Sequence, residues 1–348
     1  MKPILISGIQ PSGKLHIGNY FGALKNFVDL QNSGRYQCYF FVADLHSITE
    51  DFDPNKKYQQ IREVILNYLA AGIKPEKSVL FIQSQVLEHA ELAWILNTIT
   101  PIGELSRMTQ FKEKGGKALL SPSGGGLLSP GISPNVGLFD YPVLQAADIL
   151  LYDAEVVPVG EDQIQHLEFT RTLARKFNQK FLPTGRQAKK IFIEPKELLT
   201  ETPRIMSLNN PLKKMSKSIP EGCLFLDDTA DTIREKLKRA VTDSGTEIKY
   251  DPENKPAVSN LIRIYRAFSG MTIKEIEIKF QSSTYSQFKK DLAESTVLYL
   301  KPFQVKKKLL AKKPKEIEKI IEKGRKTAQK KAADKMTAVK KVIGLEKK

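Results

Sequence analysis

Cysteine is almost missing from this chain: there are two in 348 residues, Cys38 and Cys223. That excludes a disulfide framework, and neither residue has a Cys or His at metal-ligand spacing, so a reducing compartment and no protein-held metal are expected. Long apolar runs are missing too. After Lys2 and Pro3 only three consecutive apolar residues, Ile4 to Ile6, open the chain. They are too short for a secretion signal or a membrane span, so a cytoplasmic protein without a membrane partner is expected. No internal repeat is present. Net charge is nearly lacking over the first 300 residues, which carry +3 of the formal +16: the other +13 lies in residues 301–348, with 18 Lys+Arg against five Asp+Glu. A lysine-rich surface is the electrostatic footprint of a nucleic-acid binder, because each phosphate it neutralises releases counterions. The bland alternative is a solvated, lysine-coated helix. No aromatic series accompanies these lysines, so nothing there signals base-specific reading.

What is present is enough apolar residue, 41% of the chain, for a substantial core and a second unit. Ile4 to Ile6 read as a strand, followed by a helix in which Ile17, Tyr20, Phe21, Leu24, Phe27 and Val28 recur at three- and four-residue spacing until Gly34. Tyr39 to Val42 read as a second strand. Asp53-Pro54 opens a helix that Gly72 ends, and Val79 to Ile82 make a third strand. A helix over 143–152, a strand over 156–159 and a helix over 164–177 continue the alternation, which predicts a doubly wound, parallel-sheet α/β unit. Beyond about residue 205 helical patterns dominate, as in 233–241 and 261–268. We therefore divide the chain into a Rossmann-like unit, 1–205, and a smaller all-helical unit, 206–348, whose lysine-rich last helix packs back on the first. A Gly/Ser/Pro-rich insertion near 115–137 is expected to be mobile.

Two segments carry the chemistry. Gly8-Ile9-Gln10-Pro11-Ser12-Gly13-Lys14-Leu15-His16-Ile17-Gly18-Asn19 joins the first strand to a helix start, where free N–H groups and the helix dipole favour phosphate. Its place beyond a strand's carboxyl end fits ligand binding at a topological switch point. Far downstream, Lys214-Met215-Ser216-Lys217-Ser218 spaces two lysines with two serines, enough to hold a polyphosphate while its charge changes.

Together the segments resemble the nucleotide-binding signatures of class I aminoacyl-tRNA synthetases, and their wording is similar to that of the tryptophanyl-tRNA synthetases. Further matches at 109–114, 141–152, 157–163 and 204–218 follow the family's order. The resemblance implies ATP and Mg2+ as cofactors, the ion bound mainly through the phosphates. It also implies L-tryptophan and tRNA(Trp) as substrates, a homodimer, and no DNA partner. Residues 1–205 would then be catalytic and 206–348 would carry the anticodon contacts.

By the same resemblance Gln10, Pro11, Ser12, His16, Gly18 and Asn19 line the ATP site. His16 donates to phosphate, and Gly18 lets adenine approach where a Cβ would collide. Gly160, Glu161 and Asp162 contact the ribose, although acidic helix capping explains the last two equally. Ile205 offers its backbone to adenine. Lys214, Met215, Ser216, Lys217 and Ser218 embrace the phosphates; Lys214 and Lys217 act catalytically on the leaving pyrophosphate, and Gly222 lets their loop open and close. Lys114 is a third catalytic lysine, with Lys112 close enough to leave the choice open.

Asp148, in the apolar run Tyr141 to Tyr152, is the family's specificity residue. A fixed carboxylate facing an indole N–H penalises a ligand without that proton. The alternative is a helix carboxylate pointing at water or at a lysine. Tyr141, Gln10, His46, Gln145, Val157, Val159 and Gln163 complete the pocket. Gln145 stands where methionine is frequent, which adds a polar group beside the substrate, and Ile6 where an aromatic is frequent.

Three rivals are weighed. A tyrosyl enzyme would need partners for a hydroxyl that both donates and accepts. A small adenylyltransferase would have no use for the helical part. A non-catalytic paralogue sensing tryptophan or tRNA would show decay in a phosphate motif, and all of them read intact.

Overall fold

A computed structural model describes residues 2–109, 111, 135–183, 190–199, 204–217 and 219–347. Five parallel strands form one sheet: β1 (Ile4–Ile9), β2 (Gln37–Val42), β3 (Ser78–Ile82), β4 (Val156–Val159) and β5 (Lys196–Leu199), in the order β3-β2-β1-β4-β5. The order reverses between β1 and β4, so a crevice opens beyond Ile9 and Val159. β5 escaped the sequence reading because Lys196-Glu197-Leu198-Leu199 is a short edge strand with mostly exposed residues.

Strand side chains alternate between the two faces. Leu5, Phe40, Val42, Leu80 and Ile82 join one buried cluster; Ile6, Tyr39, Phe41 and Phe81 join the other. The first cluster continues through Ile205, Met215 and Leu224 into the helices α7 (Ala230–Arg239), α8 (Pro256–Ser269), α9 (Ile273–Phe280) and α10 (Tyr285–Ala311). Apolar packing is therefore continuous across residue 205.

The helix after β1, α1, runs through Ile17–Asn19, a π-helical turn Tyr20–Leu24 and Lys25–Asn32. The Asn26 amide donates to the carbonyls of Phe21 and Gly22 at 3.2 and 3.3 Å, bracing the wide turn. The next helix, α2 (Pro54–Ala71), has the expected Asp53 cap and ends at Gly72 with φ +117°, a conformation that favours glycine. After β3 come α3 (Glu88–Asn97) and the single turn α4 (Ile102–Leu105). Next, α5 (Val136–Leu150) begins seven residues before the predicted start. Asn135 caps it by accepting from the Leu138 N–H at 2.8 Å, so residues 135–137 belong to the helix and not to the Gly/Ser/Pro-rich insertion. The rest of that insertion, 115–134, lies outside the described residues. α6 (Ile164–Phe181) follows β4 and runs four residues past its predicted end.

The last helix, α11 (Pro314–Ile343), crosses β3, the strand at one end of the sheet. Ile317 and Ile321 join the cluster on one face; Ala328, Ala332, Met336 and Val339 join the cluster on the other. Gly324 sits at the crossing, where a Cβ would overlap the Leu80 carbonyl. Ion pairs from Lys331 and Lys335 to Asp153, and from Lys340 to Glu91, flank the contact. On an exposed helix Gly→Ala stabilises by up to about 1 kcal/mol. Here Gly324→Ala is expected to destabilise by about 1–3 kcal/mol, because backbone must move. Urea unfolding of the two proteins checks the sign.

Candidate functional site

The turn after β1 depends on Gly13, whose φ of +101° suits only glycine. It delivers His16 to the N-cap of α1. There the Asn19 N–H donates to His16 Nδ1 at 3.3 Å and the His16 N–H donates to Asn19 Oδ1 at 3.2 Å, a reciprocal capping box. Since Nδ1 accepts, the ring proton resides on Nε2 and remains available to an anion. Burial, followed by the nearby charges of Lys217 and Lys214, lowers the His16 pKa to about 4, so the ring is neutral at pH 7. The cap and the expected phosphate donor are compatible, one on each nitrogen. A Cβ on Gly18 would meet the His16 ring at 2.8 Å, so this glycine is needed by the cap itself.

The downstream segment is half of a hairpin. The Ser207 N–H donates to the Lys213 carbonyl at 2.8 Å, the Met215 N–H donates to the Ile205 carbonyl at 3.2 Å, and Met206 bridges to Lys214. The side chains of Ile205 and Met215 are anchored in the core, leaving their backbone as the part that can face a ligand. From α8, Asn260 Oδ1 accepts the Met206 N–H at 2.9 Å while its Nδ2 donates to the Met206 carbonyl at 3.0 Å, clamping the hairpin to the helices.

Lys214 and Ser216 are exposed. Lys217 Nζ reaches back to donate to Ser12 Oγ at 3.0 Å, and burial lowers its pKa to about 8. The two signature loops are further joined where the Ile17 N–H donates to the Leu224 carbonyl at 2.9 Å and the Leu226 N–H donates to the Leu15 carbonyl at 3.0 Å. Gly222, expected as a hinge, is buried with its Cα against Ser207 Oγ, where a Cβ would collide. Its role is close approach. Lys112, Lys114 and Ser218 lie outside the described residues.

Beyond β4, Gly160 leads a 3-10 turn, Glu161–Gln163, with Glu161 and Asp162 exposed. Between this turn, β1 and α5 lies a cavity of about 410 Å³. All eight residues expected around the amino acid line it: Gln10, His46, Tyr141, Gln145, Asp148, Val157, Val159 and Gln163, together with Ile6. Of the residues expected at the nucleotide, only Gln10 and Gly160 belong to its wall. Gly22, Ala23 and Asn26 also line it, supplied by the π-helical turn and its cap, and the sequence reading missed them. Gln145 Nε2 donates to Gln163 Oε1 at 3.4 Å, so the polar group that departs from the family pattern is tied to its neighbour.

Asp148 points at neither water nor lysine. It is 2% exposed and accepts three hydrogen bonds: His46 Nε2 to Oδ2 at 2.7 Å, Gln83 Nε2 to Oδ1 at 2.7 Å and His89 Nδ1 to Oδ1 at 2.6 Å. Burial pushes the carboxyl pKa up, and the charge and bonds of His46 and His89 outweigh it, holding the group below the usual carboxylate range. His89 Nε2 meets the Tyr152 hydroxyl at 2.8 Å. Tyr141 OH meets His166 Nε2 at 2.8 Å, and burial lowers the His166 pKa to about 4. Gln83, His89, Tyr152 and His166 were not singled out from sequence. One signal was available: the chain has only four histidines, and His16, His46, His89 and His166 are all buried around this site.

The chain was compared with known proteins. The family model described as tRNA synthetases class I (W and Y) matches residues 1–301. A tryptophan–tRNA ligase of Rickettsia conorii is 44% identical over 347 residues, covering 99% of both chains. The crystal structure of a tryptophanyl-tRNA synthetase from Mycoplasma pneumoniae has a TM-score of 0.85 at 35% identity, covering 99% of each chain. That of Campylobacter jejuni, complexed with ADP and tryptophan, has a TM-score of 0.79 at 36% identity, covering 98% of this chain and 99% of that one.

Asp148→Asn keeps the shape but turns an N–H toward a donor. We expect it to cost about 1–3 kcal/mol of stability at neutral pH. Because the folded pKa is depressed, the wild-type advantage is present above the ordinary carboxyl pKa of about 4 and is lost as pH falls through the folded value. Urea unfolding of both proteins at pH 7 and at acid pH measures this.

Proposed function

Since the chain belongs to the class I tRNA synthetases of the tryptophan and tyrosine group, we propose that the cavity beside Asp148 receives the indole of tryptophan and that the two joined loops receive ATP. The activity is that of a tryptophan–tRNA ligase: ATP-dependent formation of tryptophanyl-adenylate, then transfer to the 3' end of tRNA(Trp). The observation that carries the substrate reading is the buried, thrice-bonded carboxylate in the cavity wall. A carboxylate has about four acceptor positions, so one remains, on Oδ2. An indole N–H fills it as a pure donor. A phenol would bring lone pairs to a place where the donors of His46, Gln83 and His89 are already committed to Asp148, which disfavours tyrosine.

In activation a tryptophan carboxylate oxygen attacks the α-phosphorus of ATP, and pyrophosphate leaves. Lys214 and Lys217 sit on the hairpin facing the β1 loop, placed to neutralise the leaving group's charge, while His16 Nε2 donates to a phosphate oxygen. A Mg2+ ion held through the phosphates would add to that neutralisation. In the second step a hydroxyl of the terminal tRNA ribose attacks the adenylate carbonyl and AMP leaves. Positioning and electrostatics suffice, with no covalent enzyme intermediate.

Residues 206–348 serve as the tRNA-binding part in this reading, and the working unit is a homodimer in the cytoplasm. For the dimer, the support is large apolar side chains left in solvent on neighbouring elements: Leu87 at 75%, Trp94 and Ile102 at 74% and Val136 at 78% exposure. No helix among the described residues is long and apolar enough to cross a membrane.

ATP–pyrophosphate exchange with each of the twenty amino acids tests the reading. Exchange with tryptophan alone is expected, with kcat/KM reduced about tenfold or more by Asp148→Asn. Exchange with tyrosine would move the assignment within the group, and none from folded protein would favour a sensor. Lys217 supplies a second prediction. With a pKa of about 8, its positive charge is present below that pH and lost above it, so ATP affinity should weaken as pH rises from 7 to 9.5. Lys217→Arg should flatten that dependence, because arginine stays charged throughout; calorimetric titrations across the range decide it.

A further inference from the structure

We propose that Gln83, His89 and Tyr152 are positioning residues for substrate selection, holding the Asp148 carboxylate in one orientation and one charge state so that its last acceptor position is kept for the indole N–H. The inference rests on the reading of Asp148 as the indole acceptor.

None of the three lines the cavity, so they act through Asp148. A lone aspartate on a helix turns about two torsions and exchanges its oxygens. Here Oδ1 is saturated by Gln83 at 2.7 Å and His89 at 2.6 Å, and Oδ2 holds His46 at 2.7 Å. Rotation would break all three bonds at once. The donors are themselves fixed. Gln83 Oε1 accepts the Leu45 N–H at 3.1 Å, so a flipped amide would place donor against donor at Leu45 and oxygen against oxygen at Asp148.

On the other side, His89 Nδ1 must donate to the carboxylate. Among the described residues the Tyr152 hydroxyl bonds only to His89 Nε2, at 2.8 Å. The hydroxyl thus holds the second nitrogen of the His89 ring and fixes the ring's plane against Asp148. Burial and the charge of Asp148 push the Tyr152 phenol well up, so it keeps its proton. Both nitrogens of His89 are engaged, Nδ1 by Asp148 and Nε2 by Tyr152. The His89 ring is sealed by Phe41 and Phe81, with centroids at 6.0 and 5.9 Å, and Gln83, His89 and Tyr152 are all 0% exposed. What the cluster presents to the cavity is a carboxylate with one open acceptor position, and its complement is a donor.

The test is the ratio of kcat/KM in ATP–pyrophosphate exchange for tryptophan over its benzothienyl analogue, in which sulfur replaces the indole N–H. His89→Leu is expected to lower the ratio about tenfold or more, chiefly through the KM for tryptophan, while kcat for the analogue changes little. His89→Asn, whose side-chain N–H can stand near the place of Nδ1, should restore most of it. Tyr152→Phe keeps the ring packing and deletes only the hydroxyl, so it reports even if His89→Leu does not fold. It should lower the ratio about threefold. Equal losses on both substrates in His89→Leu and Tyr152→Phe, with the ratio unchanged, would overturn the proposal and leave the cluster a core device. Asp148→Asn separates the two levels. If it too leaves the ratio unchanged, the indole reading of Asp148 fails. If it collapses the ratio while the other variants do not, only the positioning claim fails.

Discussion

A carboxylate buried to 2% exposure is tolerable only if donors surround it, and much of this architecture can be traced to supplying them to Asp148. His46 comes from the turn after β2, Gln83 from the turn after β3, and His89 from the first turn of α3. These reach one point because β2 and β3 are neighbours in parallel register, from Cys38 opposite Ser78 to Val42 opposite Ile82, so their carboxyl ends finish level. The same side of the sheet carries α5, which brings Asp148 itself. Asp44 strengthens the junction by accepting from the Ser84 N–H at 2.9 Å, tying the two strand ends that hold His46 and Gln83. The placing of donors around Asp148 is thus a property of the sheet's register as much as of one residue.

The nucleotide side obeys a different logic. Its groups sit on two loops that would otherwise be free, and their geometry depends on stitching. The β1 turn is joined to residues 224–226 by backbone hydrogen bonds, and the hairpin around Met206 is held by an amide from α8. Apolar packing runs unbroken from β1 to α10 on that face. A shift of the helices therefore cannot leave the lysine-bearing hairpin untouched. In the proposed function the buried polar cluster reads the amino acid, while the hairpin, attached to the helices, meets the phosphates.

Legibility from sequence followed how local each signal was. Asp53-Pro54 and Gly72 bracket a helix by caps that act within a few residues, and both ends were found. The start of α5 was not, because the Asn135 cap follows a Gly/Ser/Pro stretch and Pro142 interrupts the helical pattern. β5 has no apolar alternation to betray it. At the site, the eight residues that resemblance supplied for the amino acid line one cavity, while Gly22, Ala23 and Asn26 in the same wall carried no signal. Of the donors to Asp148, His46 came with the resemblance, while Gln83 and His89 were missed because nothing local in sequence says that residues 83, 89 and 148 meet. Gly222 shows the opposite error. A glycine in a loop suggests a hinge, whereas tertiary packing against Ser207 demanded the missing Cβ.

The lysine-rich end resolves between its two readings residue by residue. Lys331 and Lys335 are paired with Asp153, Lys340 with Glu91, and Lys307, on α10, with Glu63 and Asp227. These lysines are turned inward and anchor the last helices, so their charge is largely neutralised locally. Others, such as Lys323, Lys326 and Lys330, are exposed on α11. Because the Gly324 crossing fixes that helix against both faces of the sheet, the outward charges keep a constant bearing on the cavity. A polyanion attracted by them would meet a rigid surface, not a swinging tail, and long-range attraction would be converted into orientation only to the extent that this packing holds.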